Sequence, residues 1–364
     1  MIQKEKSSPL IRDPWLDNAK AGLIILVVIG HMISTPRLYY PTFEWMYNFI
    51  NFFHMPAFLV ISGYLMKGRV KNRRTDAVIN KNLIPYIFAQ VFLYVIFVQF
   101  DRGLEAATSE SLKDGFTFAE PVYQMWFLLA LVIYYFICVA LKPEKKPVLS
   151  MCGSVLLSIS LGFFKVMPFL RLTKTLCFLP FFLLGYLMTP ERLDALKNKK
   201  TLKVFGVIGF ALLALFVVLY SEDTTDLVLF FSRRYIDYPI EFAGYYPIIA
   251  RIIYIPLAMI ISLLYLTLIP HRRYFFTKYG ERSMYIYVLH AIPVVIFRIC
   301  NYETEFYTTW LEPAWVKAMY LLFGLMIVVV CASDPVVKVF KKILEPDIDI
   351  NKITDYFKNK KVSE

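Results

Sequence analysis

The sequence predicts an all-α fold, a polytopic integral membrane helix bundle with about ten transmembrane helices and with the N- and C-termini in the cytoplasm. Hydrophobic residues make up 58% of the 364 residues, charged residues only 19%, and the mean hydropathy is +0.54. A soluble domain has about 25% charged residues, so the composition excludes that class. The apolar residues also lie in runs of bilayer-spanning length.

Ten apolar segments follow one another along the chain. The fifth is diluted by serines and glycines, and it has the weakest hydrophobic signal. The segments lie at residues 17–36, 45–66, 83–100, 122–141, 147–164, 172–189, 202–220, 245–269, 283–300 and 314–333.

The charges between these segments predict the orientation. The loops after segments two, four, six and eight are rich in lysine and arginine, and the other loops are acidic or mixed, except for the short basic connection after segment five. Basic loops stay in the cytoplasm. We therefore expect a cytoplasmic segment over residues 1–16, a membrane domain over 17–334 and a basic cytoplasmic tail over 335–364. The net charge of +12 arises from these loop clusters, so it does not indicate nucleic acid binding.

The residues that flank the first segment argue against a cleaved signal peptide, and the cysteine spacing argues against a metal site. Basic residues precede the first apolar run as in a signal peptide, but no small-residue cleavage site follows, so we expect a retained signal anchor. The five cysteines form no CxxC pair and have no metal-ligand spacing, so we expect packing residues and no metal site.

The first segment places ionisable groups on one face of an apolar helix. Lys20 and His31 are eleven residues apart, about three turns and roughly 16 Å, and Asp17 lies near the same stripe. Ionisable groups at membrane depth usually face a bundle interior or a wet cavity and are functional, although a histidine can also serve packing alone. His31 is the leading active-site candidate. Asp17 and Glu44, just past the outer end of this helix, are candidates to orient it.

Segments two and nine carry two further histidines. Segment two contains His54, Pro56 and a Ser62-Gly63 pair, which predict a kinked helix that lines a cavity with its backbone close to a ligand, or a kink for packing only. Segment nine places Ser283 and His290 on one face and Tyr287 on the adjoining face. Counting from the inner surface, we expect His290, His54 and His31 at about 10, 16 and 20 Å, a staggered row.

The loops offer candidate binding residues. Arg233 and Arg234 lie among aromatic residues in the longest outer loop and could contact a sugar ring, although an interfacial aromatic belt is an equal interpretation. Arginine and lysine from two inner loops suit a polyanionic phosphate ligand, although the same residues could serve orientation alone. These inner-loop candidates are Arg73, Arg74, Lys81, Arg272 and Arg273.

Other catalytic motifs are missing from the sequence. No G-x-S-x-G elbow supports a serine hydrolase built on Ser62 or Ser283, and neither a Walker A nor a Rossmann glycine pattern occurs.

Several motifs, in this order, resemble the integral-membrane acyltransferase type 3 family, specifically its fucose 4-O-acetylase-like branch. The resemblance spans about residues 12 to 335. The matching stretches are Trp15-Leu16-Asp17-Asn18-Ala19-Lys20 through Gly30-His31, Phe53-His54-Met55-Pro56 to Ser62-Gly63-Tyr64-Leu65, Leu83-Ile84-Pro85-Tyr86, Trp126-Phe127-Leu128, Phe178-Leu179-Pro180-Phe181-Phe182-Leu183-Leu184-Gly185-Tyr186, and Tyr279-Gly280-Glu281-Arg282-Ser283 to His290.

This resemblance implies transfer of an acyl group, usually acetyl from cytoplasmic acetyl-CoA, to a hydroxyl of a sugar or lipid-linked glycan in the bacterial inner membrane. It assigns the essential first-helix histidine to His31. Many relatives have arginine at the position of Lys20. Lysine keeps the positive charge but lacks the planar guanidinium, which can form two parallel hydrogen bonds. We expect acetyl-CoA as a substrate rather than a bound cofactor, contact with membrane lipid, and acceptor contacts from His54, Ser62, Trp126, Ser283, Tyr287 and His290.

Two other functions stay open at this point. A proton-coupled transporter or flippase would use the buried histidines and Lys20 as a proton path, but paired interrupted helices in corresponding halves are not evident. A non-catalytic subunit that scaffolds polysaccharide enzymes is the third interpretation. The sequence leaves the acceptor, the acyl chain and the oligomeric state open.

Overall fold

The computed structural model describes residues 13–98, 118–164, 167, 169–220, 246–301 and 305–346, and the regular elements in these ranges are all helices. We number the α-helices in chain order. They are α1 (Pro14–Met32), α2 (Pro41–Lys71), α3 (Thr75–Val78), α4 (Ile84–Val98), α5 (Trp126–Leu141), α6 (Pro147–Ser160), α7 (Leu172–Leu187), α8 (Pro190–Asn198), α9 (Lys200–Leu219), α10 (Tyr246–Leu268), α11 (Thr277–Glu281), α12 (Ser283–Leu289), α13 (Ala291–Cys300), α14 (Ala314–Cys331) and α15 (Asp334–Leu344).

The predicted fold class, a polytopic helical membrane protein, is confirmed. Within the described ranges, 8 helices are long and apolar enough to cross a membrane, and the shorter apolar helices α5 and α6 occupy the positions of predicted segments four and five. The ninth segment is interrupted at His290, between α12 and α13. Helix α2 is longer than its predicted span at both ends, because it begins at Pro41 and continues through the basic residues to Lys71.

The basic connections meet at one end of the bundle. Lys197 Nζ lies 2.8 Å from a carboxylate oxygen of Asp13, and Lys67 Nζ donates to the carbonyl of Met188 at 2.7 Å. The Asn18 side chain donates to the carbonyls of Pro270 and Arg272 at 2.8 Å. The loops that charge assigns to the cytoplasm therefore share one face of the molecule, and the side of the membrane on which this face lies stays a prediction.

Helices α2 and α7 approach each other at two glycines. A Cβ atom on Gly63 would collide with the carbonyl oxygen of Phe182, and one on Gly185 would collide with the carbonyl oxygen of Val60. Small residues allow such close helix contacts in membranes. The sequence predicted that the backbone near Gly63 would approach a ligand, and this was wrong for Gly63 because a neighbouring helix occupies that space.

Pro56 lies within α2, and it cannot donate the backbone hydrogen bond that the carbonyl of Phe52 would receive in a regular helix. The hydroxyl of Tyr254 in α10 donates to this carbonyl at 2.9 Å. The freed acceptor is thus satisfied by another helix, as an apolar environment requires.

A non-helical stretch, residues 118–125, enters the bundle before α5. Gln90 of α4 is fully buried and donates to the carbonyl of Glu120 at 2.6 Å, and its side-chain oxygen accepts from the backbone N–H of Val122 at 2.8 Å. Tyr86 donates to the carbonyl of Phe118 at 2.6 Å. These bonds satisfy the irregular backbone and fix the two residues that follow, Tyr123 and Gln124.

Candidate active site

A cavity of about 300 Å³ lies among α1, α2, α5, α7, α12 and α13. Two histidines, His31 and His54, line its wall together with mostly polar or aromatic side chains. The described lining residues are Val27, Gly30, His31, Ser34, Tyr47, Asn51, His54, Met55, Tyr123, Gln124, Trp126, Lys174, Tyr287 and Arg298. We call this space the histidine cavity.

His31 lies in the last turn of α1, where its ring faces other rings. The centroid of the His31 ring is 4.9 Å from that of Tyr123 and 5.4 Å from that of His290. No described residue forms a hydrogen bond with its ring nitrogens. Arg298 holds the end of α1 by donating to the His31 carbonyl at 3.3 Å and to Ser34 Oγ at 2.7 Å. The His31 imidazole is therefore positioned by packing, and its nitrogens are available to a substrate.

The other two histidines are tied to their own helices. His54 Nδ1 lies 2.8 Å from the carbonyl oxygen of Ile50, and His290 Nδ1 lies 2.8 Å from that of Ile286. A carbonyl only accepts, so both Nδ1 atoms carry the proton and both Nε2 atoms are acceptors in the neutral rings. Gln124 Nε2 lies 3.4 Å from His290 Nε2. The His290 ring is fully buried against the His31 ring and is not among the residues that line the cavity.

The predicted depth difference of about 10 Å between His290 and His31 was wrong, because their ring centroids lie 5.4 Å apart. The depth of His54 stays a prediction. Gly280 in α11 packs directly on the backbone of Asp17, so α11 and α1 start at a common level. His31 is fourteen residues after Asp17, a helical rise of about 21 Å. His290 is ten residues after Gly280, a helical rise of about 15 Å. Helix α12 thus begins deeper in the bundle than the loop boundary indicates, and the two rings meet.

A second cavity, of about 180 Å³, lies toward the basic end. Its cations are Lys20, Arg69 and Lys81, and Ser62 and Ser283 also line it. We call it the basic cavity. Tyr287 lines both cavities.

The rings of Phe58, Phe127 and Tyr287 form an aromatic layer where the two cavities adjoin. The ring of Phe127 lies 5.6 Å from the rings of both Phe58 and Tyr287, measured between centroids. The Tyr287 hydroxyl donates to the carbonyl of Gln124, which ties this layer to the wall of the histidine cavity.

A third space, of about 600 Å³, opens at the same basic end beside α2 and α5. Lys67, Lys71, Arg73 and Lys142 line it, together with Glu144, which accepts from the Tyr186 hydroxyl at 3.0 Å. Arg73 therefore faces a different space from Lys20 and Arg69.

The remaining sequence candidates lie away from the His31 ring. Asp17 is buried and paired with Lys20 at 2.7 Å, at the opposite end of α1. Glu44 is in the first turn of α2 and does not line the histidine cavity. The structure thus brings neither carboxylate to His31, and their catalytic roles stay predictions.

Three further predicted loop arginines, which the structure describes, line none of these three cavities. Arg74 lies 3.6 Å from Asp76, and Arg273 lies 2.8 Å from Glu281. Arg272 is exposed, and its carbonyl accepts from Asn18. Arg233 and Arg234 lie outside the described residues.

Sequence reasoning missed four prominent residues of the histidine cavity. Lys174 and Arg298 are cations inside predicted spans, so the criterion that selected His31 would have found them. Tyr123 and Gln124 lie at the start of predicted segment four, and neither is an ionisable residue within an apolar run of the kind that singled out His31. Their position depends on the bonds from Gln90, which no local pattern shows.

The protein is therefore a multi-pass helical membrane protein, and its bundle contains the histidine cavity and, beside it, the basic cavity. Residues 13–334 match the family described as "Acyltransferase domain" (Acyl_transf_3). Because the match covers most of the chain, the protein belongs to this acyltransferase family, and its apolar helices make it a multi-pass membrane protein. The family resemblance seen in the sequence is thereby confirmed.

Two curated relatives are similar over part of their length. The chain is 27% identical to Nodulation protein NolL of Sinorhizobium fredii (strain NBRC 101917 / NGR234) over 214 residues, which is 56% of each chain. It is 25% identical to Nodulation protein NolL of Mesorhizobium japonicum (strain LMG 29417 / CECT 9101 / MAFF 303099) over 185 residues, which is 48% of each chain. The chain thus spans about half the length of these relatives. No solved structure matches it.

Proposed function

We propose that the protein transfers an acetyl group from cytoplasmic acetyl-CoA to a sugar hydroxyl of a cell-envelope or exported polysaccharide, or of its lipid-linked precursor, in the bacterial inner membrane. The observation that carries this proposal is the position of His31. Its ring is free of hydrogen bonds from the described residues and faces a cavity that shares the lining residue Tyr287 with a cation-lined cavity. That arrangement suits a two-substrate reaction with a base between the substrates.

The basic cavity suits the phosphates of the donor. Lys20, Arg69 and Lys81 line one space, and clustered cations favour a polyanion. Lys20 lies about 16 Å along α1 from His31. The pantetheine arm is long, thin and uncharged, so it can extend past the rings of Phe127 and Tyr287 and place the thioester in the histidine cavity.

His31 then acts as the general base. The acceptor hydroxyl oxygen attacks the thioester carbonyl carbon while its proton moves to a ring nitrogen of His31. The tetrahedral intermediate collapses, the carbon–sulfur bond breaks, and the imidazolium returns the proton to the departing thiolate. The products are the acetyl ester and free CoA thiol, and His31 is again neutral. Such general-base assistance contributes about 10² to 10⁴ in rate.

The acetyl group can also pass through His31 itself, with an acetyl-imidazole formed before the acceptor attacks. We expect direct transfer, because one cavity holds the base and the space for both reacting groups. Incubation of the purified protein with radiolabelled acetyl-CoA, without acceptor and with rapid quench, should leave no acetyl label on the protein. Label that appears on wild type and is lost in a His31→Ala variant would contradict direct transfer.

The proposed activity is tested by the release of CoA thiol from acetyl-CoA by purified protein in detergent. We expect release that depends on added sugar or lipid-linked glycan acceptors. If a broad acceptor set gives no release and acetyl-CoA does not bind, the proposed donor is wrong.

Replacing Arg69 with alanine is expected to raise the KM for acetyl-CoA about tenfold with little change in kcat. The reason is that Arg69 lines the basic cavity, far from the reacting atoms, and a hydrogen bond to a charged group contributes about 1.5 to 3 kcal/mol. The measurement is steady-state kinetics of CoA release at varied donor concentration. Arg74→Ala is the matched control, because Arg74 pairs with Asp76 outside the cavity. An equal effect of both variants would place the donor phosphates elsewhere.

A further inference from the structure

We propose that the acceptor carries an acidic group, a carboxylate or a phosphate, which binds between Lys174 and Arg298 in the histidine cavity. This inference rests on the proposed function, because it names the chemical class of the acceptor. The carboxylate would come from an acidic sugar and the phosphate from a glycosyl phosphate.

Lys174 is a cation of the cavity wall without an acidic partner. It lies in the first turn of α7, and its Nζ is 4.5 Å from the centroid of the Trp126 ring. Among the residues that the structure describes, no carboxylate pairs with it. A cation–π contact leaves the three N–H donors of a lysine only partly used, so a further acceptor can bind Nζ.

Arg298 supplies the second cation. Its guanidinium donates to the neutral oxygens of Ser34 and His31, and it lies 5.9 Å from the centroid of the Tyr123 ring. Both of these hydrogen bonds use Nη2, and a guanidinium has five N–H donors, so further donors remain for a ligand beside the Tyr123 contact. No ion pair with a described carboxylate neutralises it.

The described wall of the cavity contains no aspartate or glutamate. The nearby carboxylate of Glu120 is paired with Arg171 at 3.4 Å and does not line the cavity. Two cations without counter-ions at membrane depth are costly, and such groups are found where a partner or ligand compensates them. An anionic ligand removes this cost, and it also binds by charge-assisted hydrogen bonds.

The donor does not supply this anion. Its phosphates have their own cations in the basic cavity, on the other side of the aromatic layer, and the acetyl thioester that reaches the histidine cavity is neutral. The acceptor is therefore the remaining source of negative charge. A cavity of about 300 Å³ is at the small end of ligand sites and suits one sugar unit with its acidic substituent.

Binding of small sugars to the purified full-length protein tests this inference without acetyl-CoA. The probes are glucose, galactose and mannose, each as the neutral methyl glycoside, the methyl uronide and the 1-phosphate, and binding is measured by calorimetry in detergent. We expect at least one acidic form to bind about tenfold or more tightly than its neutral counterpart. The uronide and phosphate arms separate the two sources of charge.

The decisive variants are Lys174→Gln, Lys174→Arg and the control Lys317→Gln. Lys317 makes a similar cation–π contact, with its Nζ 4.0 Å from the ring centroid of Tyr40, but does not line the cavity. We expect Lys174→Gln to remove the preference for the acidic probe, Lys174→Arg to retain most of it and Lys317→Gln to leave it unchanged.

Equal binding of acidic and neutral forms in all three sugar configurations would overturn the inference. So would a Lys174→Gln variant that weakens neutral and acidic probes alike, since that result indicates a structural role. A wrong proposed function would give a different result. The wild-type protein would then neither bind acetyl-CoA nor release CoA, while it still bound acidic probes more tightly than neutral ones.

Discussion

Replacement of His31 by alanine is expected to lower acceptor-dependent acetyl transfer about 10² to 10⁴-fold, because it removes the general base. The His31 ring contacts Tyr123 and His290 through ring faces and forms no hydrogen bond with a described residue. Its removal therefore leaves no polar partner unsatisfied, and the bundle should fold normally. The measurement is kcat for CoA thiol release at saturating donor and acceptor.

His271→Ala is the matched control for this variant. His271 follows α10 at the basic end and lines neither cavity, so its replacement should leave kcat within about twofold. Acetyl-CoA binding and the unfolding temperature of both variants should equal those of wild type. A folded His31→Ala protein with normal turnover would show that another group takes the proton.

Gly63→Ala is expected to destabilise the protein by about 1 to 3 kcal/mol or more, the range found for overpacked cores. The added methyl group would meet the carbonyl of Phe182, and it would lie 2.8 Å from the backbone nitrogen of Tyr186. Both obstacles are backbone atoms, so relief requires separation of α2 from α7. The measurement is the unfolding temperature of the purified protein in detergent, with the yield of monodisperse protein as a second readout.

Gly68→Ala in the same helix should stabilise the protein, whereas Gly63→Ala should destabilise it. No atom lies within 4 Å of a Cβ built there, and alanine is favoured over glycine in a helix by about 1 kcal/mol. The pair therefore separates helix propensity from interhelical contact. Equal stability changes for Gly63→Ala and Gly68→Ala would show that α2 and α7 do not meet at these glycines.

The fold class and the family were readable from the sequence because both depend on local patterns. Apolar runs of membrane length, interrupted by alternating basic loops, are a property of consecutive residues, and the structure places a helix in each of the ten predicted segments. An ordered set of short motifs identified the acyltransferase family. His31 was selected because an ionisable group within an apolar run is itself a local signal. Its catalytic role, like the roles of Lys20, Asp17 and Glu44, stays a prediction.

The tertiary structure decided which residues meet. The depth of His290 depends on the contact of Gly280 with Asp17, and Gly63 faces α7 rather than a ligand. Tyr123 and Gln124 reach the histidine cavity because Gln90, more than thirty residues earlier in the chain, holds the irregular backbone before α5. A hydropathy pattern fixes neither the rotation nor the depth of a helix, since in a bundle both are set by contacts between residues far apart in the chain.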